Sequence, residues 1–146
     1  MTSGSPERAL GIELFNRTWE LIESRADDDR MLGAAHASRF HWGEAPECTD
    51  ANRARGEWLV SRVYVLLGRA EPALWHAQRC LEWCERDGLR DWDLAYAYEA
   101  LARASFLSGD AAAAALWHDR ARAAGDEIAD PEDREHFDED FATLSQ

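Results

Sequence analysis

The sequence predicts an all-α fold of about seven helices, arranged as antiparallel helix pairs in one domain. Three observations predict it. Apolar residues recur three and four positions apart and almost never alternate, which is the pattern of helix faces and not of strands. Helix-start and helix-stop residues punctuate the chain about every twenty positions. Two stretches, each reading as helix, tight turn, helix, repeat one another in sequence, and internal repetition narrows a fold more than composition does.

Ser5 and Pro6 open a first helix over 6–24, because a serine oxygen caps exposed N–H groups and proline lacks an N–H that would go unpaired there. Its apolar stripe is Ile12, Phe15, Trp19 and Ile22. A second helix runs over 28–42, with Gly43 expected in the left-handed conformation that closes a helix; 43–49, with Pro46, reads as a loop. The two read as a first helix pair over 6–43. A third helix covers 50–67, buries Gly56, Leu59, Val60, Val63, Leu66 and Leu67, and ends at Gly68. A fourth follows at once over 71–86, and so short a turn joins helices only when they are antiparallel. The fifth, over 91–108, turns at Gly109-Asp110 into a sixth that ends near Gly125. Asp130-Pro131 caps an acidic seventh helix over 131–145 whose stripe of Phe137, Phe141 and Leu144 is suited to covering the sixth.

With 146 residues the chain has the size of one domain and one core. The polar first residues lead into an amphipathic stretch, so no secretion signal is read. No apolar run approaches the roughly 18 residues of a membrane span, and a soluble protein is expected. Cys48, Cys80 and Cys84 are expected as reduced thiols in a cytoplasmic protein. All 16 basic residues are arginines, which with the abundant alanine fits a GC-rich bacterial genome. The net charge of −13 repels a phosphate backbone and argues against nucleic acid. Much of it sits in residues 125–146, where nine acids face Arg134 alone.

The repeat is explicit. Leu67-Gly68-Arg69 with Ala73-Leu74-Trp75-His76 recurs as Ser108-Gly109-Asp110 with Ala115-Leu116-Trp117-His118. The turns lie 41 residues apart and the Ala-Leu-Trp-His strings 42, which reads as one residue inserted after the second turn. Over 50–87 and 91–125 the chain resembles the long-period variant of the tetratricopeptide repeat family. The residues that carry the resemblance are Val60, Ser61, Tyr64, Gly68, Ala73 and Cys80 in one repeat and Tyr98, Leu101, Ala102, Gly109, Asp110 and Ala121 in the next. Glu57, where a large residue is expected, and Ser105, where an aromatic is expected, depart from it. The resemblance implies a right-handed superhelical array with a concave groove lined by the first helix of each pair, and is nearly silent on what the groove holds.

Arg55, Trp58, Arg62 and Val65 share one flank of the third helix, and Tyr96, Glu99, Arg103 and Phe106 the matching flank of the fifth, 41 residues on. By resemblance these line the groove. Arginines there suit carboxylates, and Trp58, Tyr96 and Phe106 offer flat anchors. The bland reading pairs Arg62 with Glu99, or Glu99 with Arg103, on a solvated face.

A second set is His36, His41, Glu57 and His76. His36 and His41 are five residues apart, about 500° of helix, and diverge too far to share a metal. Burial of Glu57 is expected to raise its pKa. His76, Cys80 and Cys84 share a face of the fourth helix, yet read as core more than as a zinc site. No catalytic motif is present, and no cofactor or metal is implied.

The sequence therefore points to a protein- or peptide-binding adaptor or sensor. Its expected partner is a protein or peptide with acidic side chains or a terminal carboxylate, neither nucleic acid nor membrane; self-association stays open. The alternative is a small-molecule-binding protein or enzyme using His36, His41, Glu57 and His76 between the second, third and fourth helices.

Overall fold

The computed structural model describes residues 4–144. Among them are seven α-helices and no strand: α1 (Pro6–Ser24), α2 (Asp28–Glu44), α3 (Asp50–Leu66), α4 (Ala70–Asp87), α5 (Asp91–Ser108), α6 (Ala111–Gly125) and α7 (Pro131–Phe141). Ser5, Asp27 and Asp130 accept backbone N–H groups from the first turns of α1, α2 and α7. Thr49 and Asn52 cap α3 reciprocally. These oxygens satisfy donors that a helix start leaves open. Gly68 and Gly109 end α3 and α5 with φ of 72° and 81°, a conformation that a Cβ would strain.

The end of α2 departs from expectation. Gly43 stays helical, the helix runs on to Glu44, and Ala45 is extended at φ −72° and ψ 132°. The stop signal is Pro46, whose ring disfavours the helical conformation of the residue before it. The end of α7 also differs: the helix finishes at Phe141 and Ala142 to Leu144 form a turn, while residue 145 lies outside the described residues.

Each hairpin is antiparallel in its side-chain contacts. Between α3 and α4, Ser61 Oγ donates to the Ala73 carbonyl, Glu57 meets His76, and Ala54 packs with Cys80, one number rising as the other falls. Between α1 and α2, Ser38 Oγ donates to the Gly11 carbonyl, and the Trp42 ring occupies the space a Cβ on Gly11 would need. Successive pairs meet through α2 with α3 and α4 with α5, and α3 also lies beside α5. The last helix, α7, packs on both α5 and α6. Phe137, fully buried, lies so close to Gly125 that a Cβ there would overlap its ring. Ile128 is buried in the same cluster, and Leu144 is buried as well.

The two hairpins correspond at 41 residues throughout. Buried Ala73, Cys80 and Cys84 match buried Ala114, Ala121 and Gly125, and α4 and α6 each begin two residues after a turn glycine. No residue is inserted after the second turn. The Ala-Leu-Trp-His strings are instead one residue, about 100° of helix, out of structural register. Trp117, not His118, therefore stands where His76 does.

Because Phe137 fills a fully enclosed site, Phe137→Ala is expected to lower the unfolding free energy by about 3–5 kcal/mol. Glu139→Ala, on the exposed side of α7, should change it by less than about 0.5 kcal/mol. Urea denaturation of both variants checks the anchoring of α7.

Candidate functional site

The flank predicted on α3 and α5 comes together, with one change of role. Glu99 on α5 is 1% exposed. Its Oε2 accepts from Trp58 Nε1 at 3.0 Å, and its Oε1 accepts from Arg62 Nη1 at 3.4 Å and Arg103 Nε at 2.7 Å. Arg103 also donates through Nη2 to the Asp140 carbonyl at 3.0 Å and Thr143 Oγ1 at 2.9 Å. The two guanidinium groups sit side by side as their 41-residue offset predicts. They face inward onto one carboxylate, however, and the seam they share with Trp58, Ser61 and Ala100 has no room for a water molecule. Burial pushes the Arg62 pKa below its ordinary value, the Arg103 charge adds to this, and Glu99 opposes it. Neither the open arginine groove nor the solvated pair describes this arrangement: it is a buried ionic node joining α3, α5 and the end of α7. Phe106 lies away from it, 39% exposed, with its ring edge toward His118.

Beside that node opens a cleft of about 270 Å³ bordered by α1, α3, α5 and α7. Five aromatic rings wall it: Phe15 and Trp19 from α1, Trp58 from α3, Trp92 and Tyr96 from α5. Trp19 and Trp58 lie 5.6 Å apart at 32°, and Tyr96 meets Trp58 edge-on at 5.5 Å and Trp92 edge-on at 6.0 Å. Ala54 and Cys80 complete the lining together with two polar pairs. In the first, Arg55 Nε and Nη2 donate to the two Asp93 oxygens at 3.0 and 3.1 Å, with the guanidinium over the Trp92 ring. In the second, Tyr96 Oη donates to Asp140 Oδ2 at 2.7 Å, and His136 Nε2 stands 3.7 Å from that oxygen. Burial, then the bond to Asp140, pushes the Tyr96 pKa up, so the phenol stays protonated. Trp92 is set by its neighbour: Asp91, at a left-handed φ of 59°, accepts from the Trp92 N–H and the Ala129 N–H, tying the start of α5 to the segment before α7.

Of the predicted flank, Arg55, Trp58 and Tyr96 line this cleft. In the sequence Phe15 and Trp19 read only as part of an apolar stripe, and no motif there marks Trp92, Asp93, His136 or Asp140 as site residues. A partial signal existed for Trp92, which lies four residues before Tyr96 and so one helical turn along the same face.

The second predicted set is also partly assembled. Glu57, 2% exposed, accepts from His76 Nδ1 at 2.7 Å and Arg39 Nε at 2.9 Å. An ionised carboxylate only accepts, so Nδ1 of His76 carries the proton. His36 Nε2 shares a 2.8 Å hydrogen bond with Tyr64 Oη, and its ring lies 5.7 Å from that of His76. His41 does not join them and packs against Phe40. The expected rise of the Glu57 pKa does not occur. Burial does push it up, but the His76 bond and the Arg39 charge outweigh burial and hold it below its ordinary value of 4.5. Burial, with His76 and Arg39, pushes His36 below 6.5. This cluster bonds α2, α3 and α4 to one another. Glu57 borders a cleft of about 220 Å³ with Arg39, Asn52, Arg53 and Trp83.

His76 is thus committed to Glu57, while Cys80 and Cys84 are buried and free. The Cys80 pKa is pushed well up by its hydrogen bond with Cys84 and by burial. Among the described residues no three His, Cys, Asp or Glu side chains are grouped as metal ligands, and no helix is long and apolar enough to cross a membrane. No family model, curated protein or solved structure matches this chain.

Glu99→Ala would leave Arg62 and the Trp58 indole without their acceptor and Arg103 with only the Asp140 carbonyl and Thr143. It is expected to cost about 3–5 kcal/mol of stability, because an uncompensated buried charge remains, whereas Arg62→Ala leaves Glu99 two donors and costs less. Chemical denaturation ranks the two.

The pKa values of His36 and Glu57 are both depressed, so the unfolded chain binds more protons than the folded one. Stability is then present above the ordinary values and lost as pH falls, first through His36 below 6.5 and then through Glu57 below 4.5. The urea midpoint should drop between pH 7 and pH 5.5, and His36→Gln should flatten that part of the curve.

Proposed function

We propose that this chain is a cytoplasmic binding module built as a tetratricopeptide-like right-handed array, and that it takes a segment of a partner protein or peptide in the cleft between α1, α3, α5 and α7. The observation that carries the proposal is the five-ring wall around an open concavity. Aromatic side chains are the commonest anchors of binding energy where a partner displaces water, and Trp92 remains 37% exposed without one. The volume of about 270 Å³ falls just below the range of about 300–1,000 Å³ typical of small-molecule pockets. It suits one inserted side chain better than a whole metabolite.

The array reading rests on side-chain register. Equivalent residues 41 apart meet across the α3–α5 seam, as Trp58 does with Glu99, and α3 and α5 lie side by side. The free state of the three thiols fits a reducing compartment. The enzyme reading has less support. The Glu57–His76 pair has hydrogen-bond geometry, but His76 is 7% exposed and its Nδ1 is taken up by Glu57. A general base needs the proton it abstracts within reach.

Selection of a random peptide library on immobilised protein tests the proposal. Enriched peptides should lose about 2 kcal/mol or more of affinity on Trp92→Ala, with the helical circular dichroism unchanged. No enrichment, or equal affinity for the variant, would sink it.

A further inference from the structure

The cleft has a charge as well as a shape. We infer that its occupant is a long cationic side chain, lysine or arginine, presented by an extended partner peptide; this rests on the cleft being the binding site.

Most polar groups around the cleft are paired internally. Arg62 and Arg103 both bond Glu99 inside the seam, which leaves that node one positive charge in excess, and Arg55 is neutralised by Asp93 through two hydrogen bonds. No guanidinium facing the cleft is left to meet a partner carboxylate, so an acidic partner finds no receptor. Asp140 is different. It borders the cleft, and its side-chain partner Tyr96 is neutral. His136 stands 3.7 Å away on the exposed side. Asp140 is therefore the carboxylate bordering the cleft whose side chain no arginine is hydrogen-bonded to, while the surplus positive charge of the Arg62–Glu99–Arg103 node acts on it from behind. The helix that carries Asp140 adds to the field, with six acids against Arg134 within α7.

Apolar walls ending at one carboxylate complement a side chain with an apolar stem and a charged tip. Lysine and arginine have that construction, burying their methylenes along apolar surface while the head reaches a polar partner. Aromatic rings near the head add attraction for a cation. A peptide is favoured over a free amine by what lies next to the cleft. A second concavity of about 150 Å³ shares Phe15 and Arg55 with it and continues along α1 and α3 past Ile12 and Asn16. The cleft is thus one station on a longer trough, which gives the residues flanking an inserted side chain somewhere to run.

Capped nine-residue glycine–serine peptides with a single central lysine, arginine, norleucine or glutamate are the probes, and shifts of the tryptophan indole N–H signals report binding. The lysine or arginine peptide should bind tighter than the norleucine peptide by about ten-fold or more, the increment expected of a bond to a charged group. Asp140→Asn, which keeps an acceptor for Tyr96, should abolish that ratio. Added salt should weaken the cationic peptides alone. If norleucine binds as tightly as lysine, the cationic assignment is wrong and the cleft remains a binding site. Preference for glutamate would overturn it in favour of an acidic partner. Butylammonium binding as tightly as the lysine peptide would overturn the peptide source. Binding by none of the probes would remove both this inference and the proposed site.

Discussion

The Glu99 carboxylate is the constraint on which the arrangement of α3, α5 and α7 depends. Removing an ionised carboxylate from water costs several kcal/mol, and the fold offsets that cost with three donors from two helices. Those donors must then stay where they are. Trp58 is held by its indole N–H, which sets one wall of the cleft, and Arg103 reaches on to the turn after α7. Asp140 and Tyr96 are positioned by the same group of contacts. The shape of the candidate site is therefore a consequence of where one negative charge is buried.

Glu57 does the same for the other seam. It lies beside Trp58 in sequence, so its side chain leaves α3 about 100° away and gathers His76 and Arg39 from α4 and α2. The 41-residue correspondence shows how differently one scaffold position can be filled. Glu57 and His76 form an ionic hydrogen bond, while their equivalents Tyr98 and Trp117 form an aromatic stack with centroids 5.8 Å apart. Both contacts join the two helices of a hairpin. The ionic version adds a third helix and a pH dependence, which the stack cannot.

Burial also separates two kinds of arginine in a chain that has no lysine. Arg62 and Arg103 serve the interior, where a planar fork with several donors can satisfy a carboxylate and a carbonyl together. Arg55 stands between the classes, locked onto Asp93 and laid on Trp92 at the cleft's edge. Residues that look in sequence like receptors for an acidic partner are bonded to carboxylates within the fold, while the Asp140 carboxylate, bonded by a neutral phenol, borders the cleft.

The sequence by itself determined the helices, their turns and the two matched hairpins, because caps, turn glycines and apolar spacing act within a few residues of where they are written. It also placed Trp58, Arg62, Glu99 and Arg103 on facing flanks, since a 41-residue offset between equal turns carries that information. Only the tertiary structure decided which way those groups point. Whether Arg62 faces solvent or Glu99 depends on the rotation and spacing of two helices and on α7 closing over them, and α7 is itself seated by the packing of Phe137 on Gly125, far away in sequence. The same holds for Glu57, whose pKa falls because His76 and Arg39 arrive from other helices. It holds too for the out-of-register Ala-Leu-Trp-His strings, where identity of letters misleads and burial of Ala114, Ala121 and Gly125 settles the alignment. Phe15, Trp92 and Asp140 meet only when four helices assemble, and no spacing along the chain encodes that meeting.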